Sequence, residues 1–206
     1  MIDNFELIKP FFYFNEANDM FLHCQVIRRG KDHPDLPAAN RTIMQYFVTS
    51  REHLEKLRPE IIHLCEYFGA RAYINLAPRD NNAVTKLAHF KMAERIYNGD
   101  FKKPWKIFSS AVGECKSRAP RWIVDIDEDM FSNKEQIKDW IYQIGLDFGK
   151  HKVDIQTIIL AEIPTKSGVH LITIPFNLQK FKEKYSNIDV HKNNPTILYI
   201  PRVLDN

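Results

Sequence analysis

Two aspartates one residue apart, Asp125 and Asp127, end the apolar run Trp122-Ile123-Val124. A strand sends residues i and i+2 to the same face, so the spacing predicts that both carboxylates point together. Paired hard oxygen donors at a strand end suit a Mg2+ or Mn2+ ion that also grips phosphate groups. Further along the chain come Thr165-Lys166-Ser167-Gly168-Val169-His170, and then Ile188-Asp189 followed by Asn193, Asn194 and Thr196. The Lys166-Ser167-Gly168 turn, with His170 just after it, offers backbone N–H groups, an imidazole and a lysine charge to phosphate oxygens. Asp189 is the third acid. Taken singly, each motif also has a structural reading. The aspartate pair can cap the turn into the next helix, His170 can be a satisfied core residue, and Asp189 can lie in a loop. As an ordered set they point to metal-assisted chemistry on a phosphate-bearing substrate.

These groups need a scaffold, and periodicity supplies one. Phe21 to Arg28, Met44 to Thr49 and Arg71 to Leu76 read as strands. Thr49-Ser50-Arg51-Glu52 opens a helix running to Phe68, carried by Leu54, Leu57, Ile61, Leu64 and Cys65, with Gly69 at its C-terminal cap. A second helix covers Asn82 to Tyr97, closed by Gly99. The stretch 100–120, punctuated by Pro104, Gly113 and Pro120, reads as an irregular junction between two lobes.

Beyond it, Arg121 to Asp127 is a strand, and Ser132 with Glu135 caps a helix bearing Ile137, Trp140, Ile141, Ile144 and Phe148. Ile155 to Ile163 and Val169 to Ile174 make a hairpin. A short helix over Asn177 to Tyr185 and a strand over Thr196 to Ile200 complete a β-α-β-β-α-β order. The expected fold class is therefore α+β and two-lobed, in one domain over 1–206. An N-terminal α/β lobe occupies about 1–118 and a C-terminal RRM-like, or ferredoxin-like, lobe about 119–206.

Composition bounds the function classes. With 206 residues, 44% hydrophobic and 12% aromatic, the chain can bury a sizeable core and is not a disordered tail. Twenty-nine basic against 26 acidic residues leave a net charge of +3, too mild by itself to signal nucleic-acid binding. Cys24, Cys65 and Cys115 are odd in number and far apart, which argues against a disulfide framework or zinc motif and favours a reducing cytoplasm. No signal-peptide pattern opens the chain, and no apolar segment is long enough to span a bilayer.

A basic and aromatic group crowds the junction. Lys102, Lys103, Trp105 and Lys106, with Phe101, Lys116, Arg118 and Arg121 nearby, combine phosphate contacts with a stacking surface for a single strand. The plainer alternative is a solvated loop with Trp105 in the core. Arg71, Tyr73 and Arg79 form a second patch, whereas Lys180, Lys182 and Lys184 read as the solvent face of a short helix.

The chain resembles the archaeo-eukaryotic primase superfamily, which includes primase small subunits, plasmid and phage primase-polymerases, and the polymerase domain of bacterial end-joining ligases. The resemblance rests on Asp125-Ile126-Asp127, on Thr165-x-Ser167-Gly168-x-His170 and on Ile188-Asp189 with its following asparagines, in family order over roughly residues 121 to 200. It implies a template-dependent nucleotidyltransferase of the DNA primase or polymerase type. Asp125, Asp127 and Asp189 would be the catalytic metal ligands for Mg2+ or Mn2+. Lys166, Ser167, Gly168 and His170 would bind the nucleoside triphosphate, and a single-stranded nucleic-acid template would be the partner. With no evident zinc motif, helicase P-loop or ligase motif, a helicase or other replication protein would have to supply such activities. Two alternatives stay open: a catalytically silent nucleic-acid-binding module of a mobile element, and a metal-dependent phosphohydrolase.

Overall fold

The computed structural model describes residues 1–14, 19–33, 39–104, 106–146 and 158–202. In chain order its elements are β1 Ile2–Asp3, α1 Phe5–Ile8, β2 Met20–Arg28, β3 Arg41–Val48, α2 Arg51–Phe68, β4 Arg71–Asp80, α3 Asn81–Tyr97 and α4 Lys106–Glu114. Then follow β5 Trp122–Asp127, α5 Lys134–Leu146, β6 Ile159–Pro164, β7 Gly168–Thr173, α6 Leu178–Lys184, β8 Val190–His191 and β9 Thr196–Ile200. The fold is mixed α+β with two antiparallel sheets, ordered β1-β9-β4-β2-β3 and β6-β7-β5-β8.

Local chemistry explains the helix boundaries. The Ser50 side chain accepts from the His53 N–H and starts α2, and the Asp80 side chain accepts from the Ala83 N–H and starts α3. At the far end of α2, Gly69 adopts a left-handed φ of 56°, and the Ala70 N–H returns to the Cys65 carbonyl at 2.8 Å. The apolar face of α2, with Leu54, Ile61 and Cys65 fully buried, covers one face of the five-stranded sheet. There it meets Leu22, Cys24 and Val26 of β2 and Ala72 and Ile74 of β4. Helices α3 and α4 lie toward the opposite face, where Val84, Ala111 and Val112 pack with Phe21 and Phe47.

In the four-stranded sheet Val124, Ile126, Val169 and Leu171 face α5 and α6, meeting Ile137, Ile141, Ile144 and Phe181. Truncating any one of these fully buried isoleucines to alanine would cost about 2–5 kcal/mol. The alternate residues Ile123 and Ile172 join the core of the other sheet instead. Asn4, 2% exposed, ties the sheets together: its Nδ2 donates to the Ile197 and Pro164 carbonyls, each at 3.0 Å.

Three features depart from the sequence expectations. Thr196–Ile200 does not close the C-terminal sheet; it lies between β1 and β4 in the five-stranded sheet, so the expected lobe boundary is crossed. All five of its residues are buried, and an apolar strand buried on both faces gains most between two neighbours rather than at an edge. The short β8 pairs with β5 in its stead. Within the expected irregular junction, 106–114 is a helix, because Ile107, Ala111 and Val112 recur at helical spacing and are buried. Helix α5 starts at Lys134 after a 3-10 turn over Glu128–Asn133 that contains Ser132. Phe148 and the first residues of the Ile155–Ile163 strand lie outside the described residues. None of the described helices is long and apolar enough to cross a membrane.

Candidate active site

The pleat of β5 separates its residues as the spacing requires. Trp122, Val124 and Ile126 pack with the helices, which leaves Ile123, Asp125 and Asp127 on the other face, where Ile123 enters the core of the neighbouring sheet. Register then assembles the motifs. On β7, His170 lies directly opposite Asp125 and Gly168 opposite Asp127. A Cβ at Gly168 would stand 2.0 Å from the Ile126 carbonyl oxygen, so only glycine permits this approach of the strands. On the other side of β5, the Asp125 N–H donates to the Asp189 carbonyl at 2.9 Å.

Asp125, Asp127 and Asp189 line one polar cavity of about 70 Å³, together with Asp129 and Asn187. Asp129, which the motif spacing does not single out, enters from the 3-10 turn after β5. The loop bearing Asp189 is pinned from α6, where Lys182 Nζ donates to the Ile188 carbonyl at 2.6 Å and to the Ser186 carbonyl at 3.1 Å. Lys182 is therefore more than a solvent-face residue. By donor type, the cavity fits a hard divalent ion that keeps several waters. Among the described residues, however, no three His, Cys, Asp or Glu side chains are placed so as to hold a metal ion by themselves. Like charges facing one cavity repel, so an ion that draws these carboxylates together has electrostatic work to do there.

His170 is held from two sides. Its Nδ1 lies 2.8 Å from Thr196 Oγ1, and its Nε2 lies 3.4 Å from Asp125 Oδ1. Burial pushes the imidazole pKa below the usual histidine range, against the pull of Asp125 and Asp127. In the neutral ring, a proton on Nε2 would face the acceptor-only carboxylate of Asp125 and leave Nδ1 to accept from the Thr196 hydroxyl. Lys166 and Ser167 are exposed at the hairpin turn, which the Thr165 N–H closes on the Gly168 carbonyl at 3.0 Å.

Lys102, Lys103 and Lys106 are exposed ahead of and at the start of α4, and Lys106 lines a cavity with Lys91, Glu94 and Arg95. Trp105 lies outside the described residues. In the second patch Arg71 is already paired, its Nη2 2.5 Å from Asp32 Oδ1, while Arg79 is buried on the same strand.

Comparison with known proteins finds no family model, no curated protein and no solved structure that matches the chain.

Proposed function

We propose that the chain is a template-dependent nucleotidyltransferase of the primase-polymerase type. The observation that carries the reading is the shared cavity of Asp125, Asp127 and Asp189, with His170 in register beside Asp125. The sheet order β6-β7-β5-β8, with α5 and α6 packed on one face, supports it as well, since this is the order of an RRM-like β-α-β-β-α-β lobe. The motif resemblance to the archaeo-eukaryotic primases adds a third line of support.

In this reading Asp125, Asp127 and Asp189 would hold Mg2+ or Mn2+. Such ions neutralise triphosphate charge and lower the pKa of an attacking 3′-hydroxyl. The chain's own residues orient the rest. Lys182 and the β5–β8 pairing fix the backbone of Asp189, and Gly168 lets β7 approach β5 closely enough to bring His170 beside the acids. His170, braced by Thr196, turns its Nε2 edge toward Asp125, and an Nε2–H there can donate to a phosphate oxygen. Ser167, Lys166 and the turn N–H groups lie next to it in sequence and complete a cradle for phosphate oxygens.

The two alternatives left open by the sequence, a catalytically silent nucleic-acid-binding module and a metal-dependent phosphohydrolase, keep the same acidic cavity and differ in what they do with a strand. The deciding experiment incubates the chain with labelled nucleoside triphosphates, manganese and a single-stranded template. New polymer is the expected product. A shortened template would identify a phosphohydrolase, and strand binding with neither product would identify the silent module.

A further inference from the structure

A buried guanidinium with no carboxylate beside it marks a second polar site. Arg79, near the end of β4, is 3% exposed. Its Nε donates to the Val112 carbonyl at 3.1 Å and its Nη2 to Asn193 Oδ1. Among the described residues the third nitrogen, Nη1, has no protein acceptor, and no Asp or Glu forms an ion pair with Arg79. A guanidinium does not lose its proton in a protein, and two neutral acceptors do not offset removing its charge from water. Burial lowers its pKa, and its field adds to the burial that pushes the His23 imidazole down.

Arg79 lies in the wall of two adjoining cavities. The first, about 190 Å³, is lined by His23, Gln25, Asn75, Ser109 and Asn193 and has no acidic residue in its lining. The second, about 340 Å³, shares Arg79, Gly113 and Asn193 and adds Lys116, Ser117 and Lys192. Its single acid, Glu114, is taken up by Lys91 at 2.7 Å. Asn193 holds the centre: its Nδ2 donates to the Gly113 carbonyl at 3.1 Å, and Asn75 Nδ2 donates to its backbone carbonyl at 3.0 Å.

We infer that Arg79, with the polar walls of these two cavities, forms a binding site for a phosphate group. A planar guanidinium matches the oxygens of a tetrahedral oxyanion. Lysines continuing into the second cavity suit a ligand with more than one negative charge, either a free polyphosphate or successive phosphates of a strand. Asp125, Asp127 and Asp189 take no part, so the site stands independently of nucleotidyl transfer.

The test is titration of the full chain at low salt in EDTA, with sodium pyrophosphate and separately with a single-stranded oligonucleotide. Gly113→Asp places a carboxylate in the wall common to both cavities, where an added Cβ meets nothing within 4 Å. The substitution therefore meets no clash, and Gly113→Asn is the uncharged control. Arg79→Met removes the charge itself. Wild type should bind pyrophosphate, and Gly113→Asp and Arg79→Met should each weaken binding about tenfold or more. Gly113→Asn should stay near wild type. Displacement of pyrophosphate by the oligonucleotide identifies a strand backbone as the source, and pyrophosphate binding alone identifies a free polyphosphate. Failure of wild type to bind either probe, or unchanged affinity in a folded Gly113→Asp, overturns the inference.

Discussion

The imidazole of His170 and the hydroxyl of Thr196 meet at 2.8 Å, Nδ1 to Oγ1, and so join a strand of one sheet to a strand of the other. Thr196 is fully buried, so the contact is shielded from water and fixes which ring nitrogen faces Asp125. Replacing His170 by alanine should weaken nucleoside triphosphate binding while leaving manganese affinity in the absence of nucleotide nearly unchanged. Thr196→Val should weaken triphosphate binding less and cost about 1–3 kcal/mol of stability, because a buried nitrogen loses its partner. Parallel titrations and urea unfolding check both; collapse of metal affinity in His170→Ala would make the histidine a ligand.

Asp125→Ala and Asp127→Ala should each abolish nucleotidyl transfer and weaken manganese binding. Their unfolding free energy should stay within about 0.5 kcal/mol of wild type, since these carboxylates face a polar cavity shared with other acids. Calorimetric metal titration beside thermal melting separates the two effects. Loss of folding in both variants would assign the aspartates a structural role.

Acidification should destabilise the metal-free protein through His23. Burial lowers its pKa from the ordinary 6.5, a hydrogen bond with Gln45 opposes this, and Arg79 lowers it further. Below about pH 6.5 the unfolded chain therefore binds a proton that the folded chain refuses, so stability is full above that pH and falls beneath it. Urea midpoints measured between about pH 7.5 and 5 should drop on the acid side, with a smaller drop in His23→Gln. An equal drop in that variant would place the linkage elsewhere.

Gly168→Ala should be costly although the change adds one methyl group. The new Cβ would stand 2.0 Å from the Ile126 carbonyl oxygen and 3.0 Å from the Asp127 Cα, and backbone atoms cannot swing aside as a side-chain tip can. The expected loss is about 1–3 kcal/mol, read as a lower melting temperature, together with weaker triphosphate binding as β7 shifts against β5. A melting temperature equal to wild type would show that the strands separate freely.

Much of this architecture is written in short-range pattern. The two-residue spacing of Asp125 and Asp127 determines that they share a face, because side chains alternate along any strand. The Ser50 cap and the left-handed Gly69 bound α2 by hydrogen bonds formed within a few residues. Likewise, the brevity of the segment between β6 and β7 demands an antiparallel hairpin, and that hairpin carries His170 to its place. Tertiary structure alone decided the rest. Thr196–Ile200 has the same strand pattern whichever sheet it joins, and only competition for two buried faces seats it between β1 and β4, where Thr196 meets His170. Neither the arrival of Asp129 at the acidic cavity nor the clasp of Asn193 on Arg79 leaves a periodic signal. Periodicity reports which way a side chain points from its own backbone, whereas a site joins side chains from distant segments, whose meeting is set by how whole sheets pack.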